Sequence, residues 1–142
     1  MSLDTRVTDF MRVLKSDATI TSYVNASNIK LGYDTSDMSY PLIAVVPPVD
    51  NSVGRLGSAI STVGNRASNV SGTFQVEIYC DVPNGGARKC GLISDAIKKA
   101  LLSTSVSGCK GFSKSSGPFY FDDGLHAWRM VERWNYVNVD YD

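Results

Sequence analysis

The alternation of apolar and polar residues is clearest in the second half of the chain, between Gly72 and Asp81. Period-two alternation of this kind predicts a β-strand with one buried face. The apolar face carries Phe74, Val76, Ile78 and Cys80. The opposite face carries Thr73, Gln75, Glu77 and Tyr79.

A helical pattern follows this strand after a Pro-Asn-Gly-Gly turn, and it runs from Ala87 to Ser103. Its apolar residues recur at spacings of three and four, which predicts one side packed on a core. The predicted inward residues are Ile93, Ile97, Ala100 and Leu101, with Leu92 and Ala96 beside them. Lys98 and Lys99 are predicted to lie outside, near the C-terminal end of the helix dipole.

The C-terminal part predicts a hairpin that ends in a long aromatic strand. We expect a loop over Ser103–Gly117, a short strand over Pro118–Phe121 and a closing strand over Leu125–Tyr141. The Asp123-Gly124 pair between the two strands is a strong hairpin signal. Alternation in the last strand is imperfect, which predicts either a bulge near Val131 or partial cover of both faces.

The N-terminal part predicts helices before the first strands. Asp4 is the expected N-cap of a helix over Thr5–Lys15, and Asp17 the expected cap of a second turn that ends at Tyr23. The first helix is expected to point Val7, Phe10, Met11 and Leu14 inward and Arg6, Asp9 and Arg12 outward. A strand is predicted within 28–33, and a buried strand between Pro41 and Pro47. Together these elements predict a single α+β domain over residues 1–142, with an antiparallel sheet packed by an N-terminal and a central helix.

The segment Val49–Ser71 does not fit a compact domain. It has twenty-three residues rich in Gly, Ser, Asn and Val, a length that is uncommon for a structureless loop. Four apolar residues within it would be left in water in an isolated chain: Val53, Leu56, Ile60 and Val63. We therefore predict a projecting hairpin or arm that another subunit covers.

The composition favours self-association over nucleic-acid binding. Fourteen basic and fourteen acidic residues give zero net charge, whereas a dedicated nucleic-acid binder usually has a basic excess. A chain without net charge also has little long-range repulsion between its copies. The three cysteines, Cys80, Cys90 and Cys109, have no metal-type spacing and are expected to be buried thiols. No apolar run approaches the length of a membrane span.

Residues that could run a reaction are few. His126 is the only histidine, so any Ser-His-Asp or Cys-His mechanism would need it. Asp122 and Asp123 form a carboxylate pair that turn chemistry explains. We expect no catalytic, metal-binding or cofactor-binding residues, and the protein is not expected to be an enzyme.

A nucleic-acid-binding module remains an alternative. Gly54-Arg-Leu-Gly57 matches the GxxG loop that clamps nucleic-acid backbone in KH domains. The aromatic residues of the last strand could stack on bases, and they are Trp128, Trp134, Tyr136 and Tyr141. Placement in the core or at a subunit interface is the stronger expectation for these rings.

The order of elements and their apolar positions resemble the tail-terminator and tail-completion proteins of tailed bacteriophages. The first part of the resemblance rests on Asp17, Ile20, Val24, Ile29, Pro41, Ile43 and Val45. The second part rests on Phe74, Val76, Ile78, Tyr79, Ala87, Leu92, Asp95, Ile97, Ala100 and Leu101. The resemblance spans nearly the whole chain.

This resemblance implies a virion structural protein that is assembled in the host cytoplasm. It implies a ring, commonly of six subunits, at the head-proximal end of the tail tube. Its partners would be further copies of itself, the tail tube protein and the head–tail connector, with DNA passing through the lumen without sequence recognition and no membrane involved. The expected interface residues are Val53, Arg55, Leu56, Ile60, Val63, Arg66, Trp134 and Tyr136. A head–tail connector, a stopper or a minor tail protein on a similar fold is the nearest alternative.

Overall fold

Two fifteen-residue strands form the centre of the fold. In the computed structural model, which describes residues 3–32, 39–48, 51–55 and 67–141, these strands pair antiparallel from Ala67 opposite Tyr141 to Asp81 opposite Ala127. The helices in chain order are α1 (Leu3–Ser16), α2 (Ala18–Tyr23) and α3 (Gly86–Ser103). The strands are β1 (Ile29–Leu31), β2 (Leu42–Val46), β3 (Asn51–Arg55), β4 (Ala67–Asp81), β5 (Lys110–Asp122) and β6 (Ala127–Tyr141).

Among the described residues, the strands form one open sheet in the order β1-β2-β4-β6-β5. β1 pairs parallel to β2, and the other neighbours pair antiparallel. The strand β3 pairs with the first residues of β4, whereas β2 pairs with its later part between Gln75 and Tyr79. The predicted α+β class with an antiparallel sheet is confirmed.

The helices cover one face of the sheet and enclose the main core with it. The predicted apolar side of β4 is confirmed, because its side chains are fully buried: Phe74, Val76, Ile78 and Cys80. The opposite side is also partly closed, since Glu77 and Tyr79 are buried there beside Leu42 and Ala44 of β2. Around Glu77, Tyr79 and Val131 both faces of the paired strands are therefore covered, which explains the buried valine at position 131 on the side opposite to Trp134.

Four details of the helices confirm, refine or correct the prediction. Asp17 caps α2 as expected, accepting a 2.9 Å hydrogen bond from the backbone N–H of Ile20. Asp4 lies in the first turn of α1 rather than at its N-cap. Arg6 was expected on the outer side of α1 but is fully buried, because its guanidinium donates to the carbonyl of Gly108 at 3.0 Å. Leu92 was expected beside the core but is 38% exposed.

A second contact ties α1 to the turn before β5. The carboxylate of Asp9 accepts a 2.7 Å hydrogen bond from the backbone N–H of Ser107 and a 2.6 Å bond from Nε of Arg12. These bonds lower the pKa of Asp9 from 3.8 to about 2, the bond from Arg12 being the largest cause. The turn 106–109 is thus held to α1 by the carboxylate of Asp9 and the buried guanidinium of Arg6.

The predicted loop Ser103–Gly117 is wrong in its second half, where β5 begins at Lys110. This strand lies at the sheet edge, and most of its side chains are exposed, so it lacks the apolar alternation that marks a half-buried strand. Pairing with β6 fixes its position instead. An extra residue of β5 falls between Ser116 and Phe119, opposite Val131, whereas β6 itself pairs with β4 without a shift. The expected bulge therefore belongs to β5, at Gly117 and Pro118.

Gly72 permits the close approach of a core aromatic ring. A Cβ added at this position would lie 2.4 Å from the hydroxyl oxygen and 2.6 Å from Cζ of Tyr136. Tyr136 pairs with Gly72 across β4 and β6, and its ring cannot move aside freely because it is buried against Phe74 and Phe112.

We predict that Gly72→Ala lowers the free energy of unfolding by roughly 1–3 kcal/mol, the usual cost of overpacking a core. Gly91→Ala is the matched control, because an added Cβ there meets nothing within 4 Å. Since Gly91 lies inside α3, this control should raise stability by up to about 1 kcal/mol. Urea unfolding of the three proteins measures both changes, and equal effects of the two substitutions would contradict the explanation.

The contact of Asp9 predicts a defined pH dependence. A carboxyl group whose pKa is lower in the folded chain stabilises the fold above its unfolded pKa, and loses that effect as pH falls through the folded pKa. We expect Asp9→Asn to be less stable than the parent at pH 7, and the difference to shrink between about pH 4 and pH 2. Urea midpoints across this range test it, with Asp123→Asn in the exposed turn as control. A difference independent of pH would contradict the assignment.

Candidate interaction surfaces

The predicted interface residues fall into three structural groups. The backbone of Val53 and Arg55 lies in β3, which pairs with β4 as one side of the predicted hairpin. Four other predicted residues lie outside the described part of the chain: Leu56, Ile60, Val63 and Arg66. Trp134 and Tyr136 are described, and they are 1% and 2% exposed.

The interface prediction for Trp134 and Tyr136 is therefore corrected, since neither side chain reaches a surface of the single chain. They sit opposite Phe74 and Gly72 on the helix-covered face of the sheet. Phe112 of β5 contacts both rings, with centroid distances of 6.3 Å to Trp134 and 6.2 Å to Tyr136. Phe10 of α1 stacks on Phe74 at 3.9 Å and completes the cluster. These aromatic residues join α1 to the sheet instead of joining two subunits.

The features proposed for nucleic-acid binding are placed unfavourably for that role. Gly54 and Arg55 lie in β3, whereas the GxxG loop of a KH domain joins two helices. The buried rings of Trp134 and Tyr136 cannot stack on bases. Leu56 and Gly57 are outside the described residues.

The residues considered for catalysis lie in the turn between β5 and β6. His126 is exposed and adopts a left-handed backbone conformation with φ of 52°. The carboxylate of Asp122 accepts a 3.1 Å hydrogen bond from the N–H of Leu125, which gives it the structural part in the turn that was expected. Within the described ranges, no three His, Cys, Asp or Glu side chains are grouped in a way that could hold a metal ion.

The three cysteines are buried and free of disulfides. The neighbouring thiol of Cys90 in α3, together with burial, raises the pKa of the Cys80 thiol in β4. The thiol of Cys90 also lies 3.8 Å from the carbonyl oxygen of Ile78 and 3.7 Å from that of Trp128. These contacts are typical of thiols that pack a core.

A buried carboxylate on the helix side, Glu132, joins three elements. It is 1% exposed, and Nζ of Lys114 on β5 lies 2.8 Å from its Oε2. Lys114 also donates to the hydroxyl of Ser94 on α3 at 3.1 Å, and that hydroxyl donates to Glu132. Because Lys114 is already the cation of this pair, the group is arranged as a salt bridge rather than as a serine nucleophile with its base.

A second buried carboxylate, Glu77, lies on the opposite face of the sheet and is fully buried. Nε of Arg129 donates to it at 2.6 Å and the hydroxyl of Tyr79 at 3.0 Å. Arg129 further donates to the hydroxyl of Tyr120 at 2.7 Å. Burial lowers the pKa of Arg129, but its bonds to Glu77 and Tyr120 outweigh this and raise it. Burial and the neighbouring Glu77 raise the pKa of Tyr79. On the face of the sheet that no described helix covers, this network links β5 through β6 to β4.

An exposed aromatic knob, formed by Phe119 and Phe121 at the end of β5, lies at one edge of the sheet. Phe119 is 47% exposed and Phe121 is 36% exposed. Both rings lean on Trp128, with centroid distances of 5.6 Å and 5.7 Å. The sequence indicated a short strand here, but it gave no signal that these rings would be left outside the core.

A groove lies at the other edge, between α1 and β1. Its volume is about 570 Å³. Its apolar wall consists of Val7, Met11, Ile29 and Leu31, and its charged rim of Asp4, Arg12, Lys15 and Lys30. Leu31 is 52% exposed at the outer strand. The two edges of the sheet thus differ in shape and in charge.

The fold has a counterpart among solved structures. One chain from a structure titled "Virion of native gene transfer agent (GTA) particle" aligns with a TM-score of 0.70 over 92% of this chain and 91% of that chain, at 10% sequence identity. At this identity the likeness concerns the fold alone. No protein-family model and no curated protein sequence matches the chain. No helix in the described ranges has the length and apolar character needed to cross a membrane.

We predict that Lys114→Met is strongly destabilising, because it leaves Glu132 buried without its cation. Removal of one partner of a buried ion pair costs roughly 3–5 kcal/mol, and the lower value applies here since Lys114 is partly exposed to water. A second change, Glu132→Met, should recover part of the loss in the doubly substituted chain. Lys110→Met on the same strand is the control. A double variant less stable than Lys114→Met alone would contradict this account.

Proposed function

We propose that the protein is a virion structural component of a tailed, phage-like particle, and that it acts by assembly rather than by catalysis. The observation that carries the proposal is the alignment with a chain of a gene transfer agent virion over more than nine-tenths of both chains. The order of elements found in the sequence supports the same class independently. The protein would then reside in the virion after assembly in the host cytoplasm.

Within that class, we propose a ring at the head-proximal end of the tail tube, commonly of six copies. The open sheet supports a ring, because its two edges are different surfaces and contacts between unlike surfaces close into rings when the rotation allows. The absence of net charge supports close contact between copies. Such a ring would end polymerisation of the tail tube and present a surface to the head–tail connector, and DNA would pass through its lumen without sequence recognition.

The predicted arm is part of this proposal. The strands β3 and β4 pair at its base, between 51–55 and 68–71. We propose that the arm contacts the neighbouring subunit or the tube below through Val53, Arg55, Leu56, Ile60, Val63 and Arg66. Trp134 and Tyr136 are buried within the single chain and take no part in this contact.

The terminator role and the connector or stopper role predict different particles in a phage that lacks this protein. Without a terminator, tube subunits continue to add, so negative-stain electron microscopy should show overlong tubes. Without a connector or stopper, tails of normal length should accumulate beside unjoined heads. Restoration by the parent chain and by Val82→Ala, which changes an exposed residue outside the surfaces proposed for contact, is the control. Normal, joined particles in the absence of the protein would contradict both roles.

A further inference from the structure

We propose that the aromatic knob of one copy docks into the groove between α1 and β1 of a second copy. The knob is Phe119 and Phe121 together with the acidic turn that follows them, and the groove is the one lined by Val7, Met11, Ile29 and Leu31. This contact between two copies can be tested on the purified protein alone. Its role in a ring rests on the proposed function.

The knob is a surface that a partner would stabilise. Phe119 and Phe121 are alternate residues of one edge strand, so their rings lie on the same face. Each keeps more than a third of its area exposed although it touches Trp128. Aromatic residues are enriched in protein interfaces because they bury much area with few rotatable bonds. The rings have a fixed support, since β5 is tied to β6 behind them.

The groove offers a complementary cavity. At about 570 Å³ it exceeds the size of one phenylalanine side chain, and its volume lies in the usual range of protein binding clefts. Val7 and Met11 are nearly buried at its floor, whereas Leu31 is half exposed at its outer wall. An aromatic ring placed against Leu31 would remove apolar surface of both copies from water.

Charge supports the same pairing. Asp122 and Asp123 follow directly after Phe121, and they would approach a rim that carries Arg12, Lys15 and Lys30 with Asp4 as its single acid. Arg12 is partly engaged by Asp9 within its own helix. Lys15, in the last turn of α1, is therefore the cation chosen for the test.

The position of the two surfaces determines the kind of assembly. They belong to β5 and β1, the opposite edges of the five-strand path, which are separated by roughly 19 Å at the usual strand spacing. A knob cannot enter the groove of its own chain across the sheet. Contacts between unlike surfaces place the copies head to tail, giving a closed ring or an open filament.

The direct test is crosslinking between two singly substituted chains, Phe119→Cys and Leu31→Cys. The native cysteines are buried, so a mild oxidant or a short thiol crosslinker should act on the new ones. We expect a heterodimer when the two chains are mixed, and a loss of that product when either chain is used alone, because the contact joins unlike surfaces. Val82→Cys, 64% exposed and outside both surfaces, replaces Leu31→Cys in the control mixture.

A charge exchange provides a second measurement that does not depend on cysteine. Asp123→Lys and Lys15→Asp should each weaken self-association at low salt by roughly twofold to fivefold, as expected for one exposed ion pair. A chain with both changes should recover the parent's association, which sedimentation velocity measures. Folding of each variant is checked by circular dichroism.

The proposal is overturned if the mixture of Phe119→Cys and Leu31→Cys yields no more heterodimer than the Val82→Cys control at the same high concentration. If the parent nevertheless forms rings in particles, the docking surfaces are wrong and the proposed function stands. If the crosslinked heterodimer forms but the protein is absent from purified virions, the docking surfaces are correct and the proposed function is wrong.

Discussion

The continuous pairing of β4 with β6 determines most of this structure. Because all fifteen positions are in register, each residue of one strand has a fixed neighbour on the other and a fixed face of the sheet. One face receives the three helices and the aromatic cluster around Phe74 and Trp134. The other carries Tyr79 and the network around Glu77. A shift of one residue would exchange the two faces.

Two buried carboxylates add specificity to the pairing of β4, β5 and β6. Glu77 and Glu132 lie on neighbouring positions of the paired strands, since Val76 is opposite Glu132 and Glu77 is opposite Val131. They therefore point to opposite faces, each towards its own cation on β5 or β6. A shift of β4 along β6 would carry the buried carboxylate of Glu77 away from Arg129, which is costly in a protein interior. The pair of Lys114 and Glu132 opposes a shift between β5 and β6 in the same way. Removal of one partner of a buried ion pair is strongly destabilising, whereas replacement of both partners by well-packed apolar residues is often neutral.

The sequence predicted the helices and strands in which apolar residues recur at a regular spacing. It missed the part of β5 that is held only by backbone hydrogen bonds to β6. The strand from Phe74 to Cys80 and the helix through Ile93 and Ile97 bury one regular stripe each, so their positions follow from the pattern. The first half of β5 has no such stripe, because an edge strand of Ser, Lys and Gly residues is fixed by its ladder to β6. Arg6, Trp134 and Tyr136 were assigned to surfaces because local sequence does not reveal which polar or aromatic side chains find partners at long range.

The candidate interaction surfaces are harder to predict from the sequence than the fold is. Phe119 and Phe121 look like ordinary strand residues in the sequence, and only the sheet order shows that no described strand or helix lies beyond them. The groove is formed by α1 and β1, which are separated in the chain by α2 and a turn, so it has no local signal. The absence of net charge favours association between copies in general, but composition does not indicate which surfaces would meet.

The bulge at Gly117 and Pro118 has a consequence for how this protein avoids uncontrolled growth. An unpaired edge strand offers its backbone to any passing strand, and proteins with long regular edges tend to aggregate. In β5 the ladder is interrupted by a residue that cannot donate a hydrogen bond and by an extra residue that breaks the repeat. This edge is thus a poor template for a further strand, so growth of the sheet from one copy to the next through β5 is disfavoured.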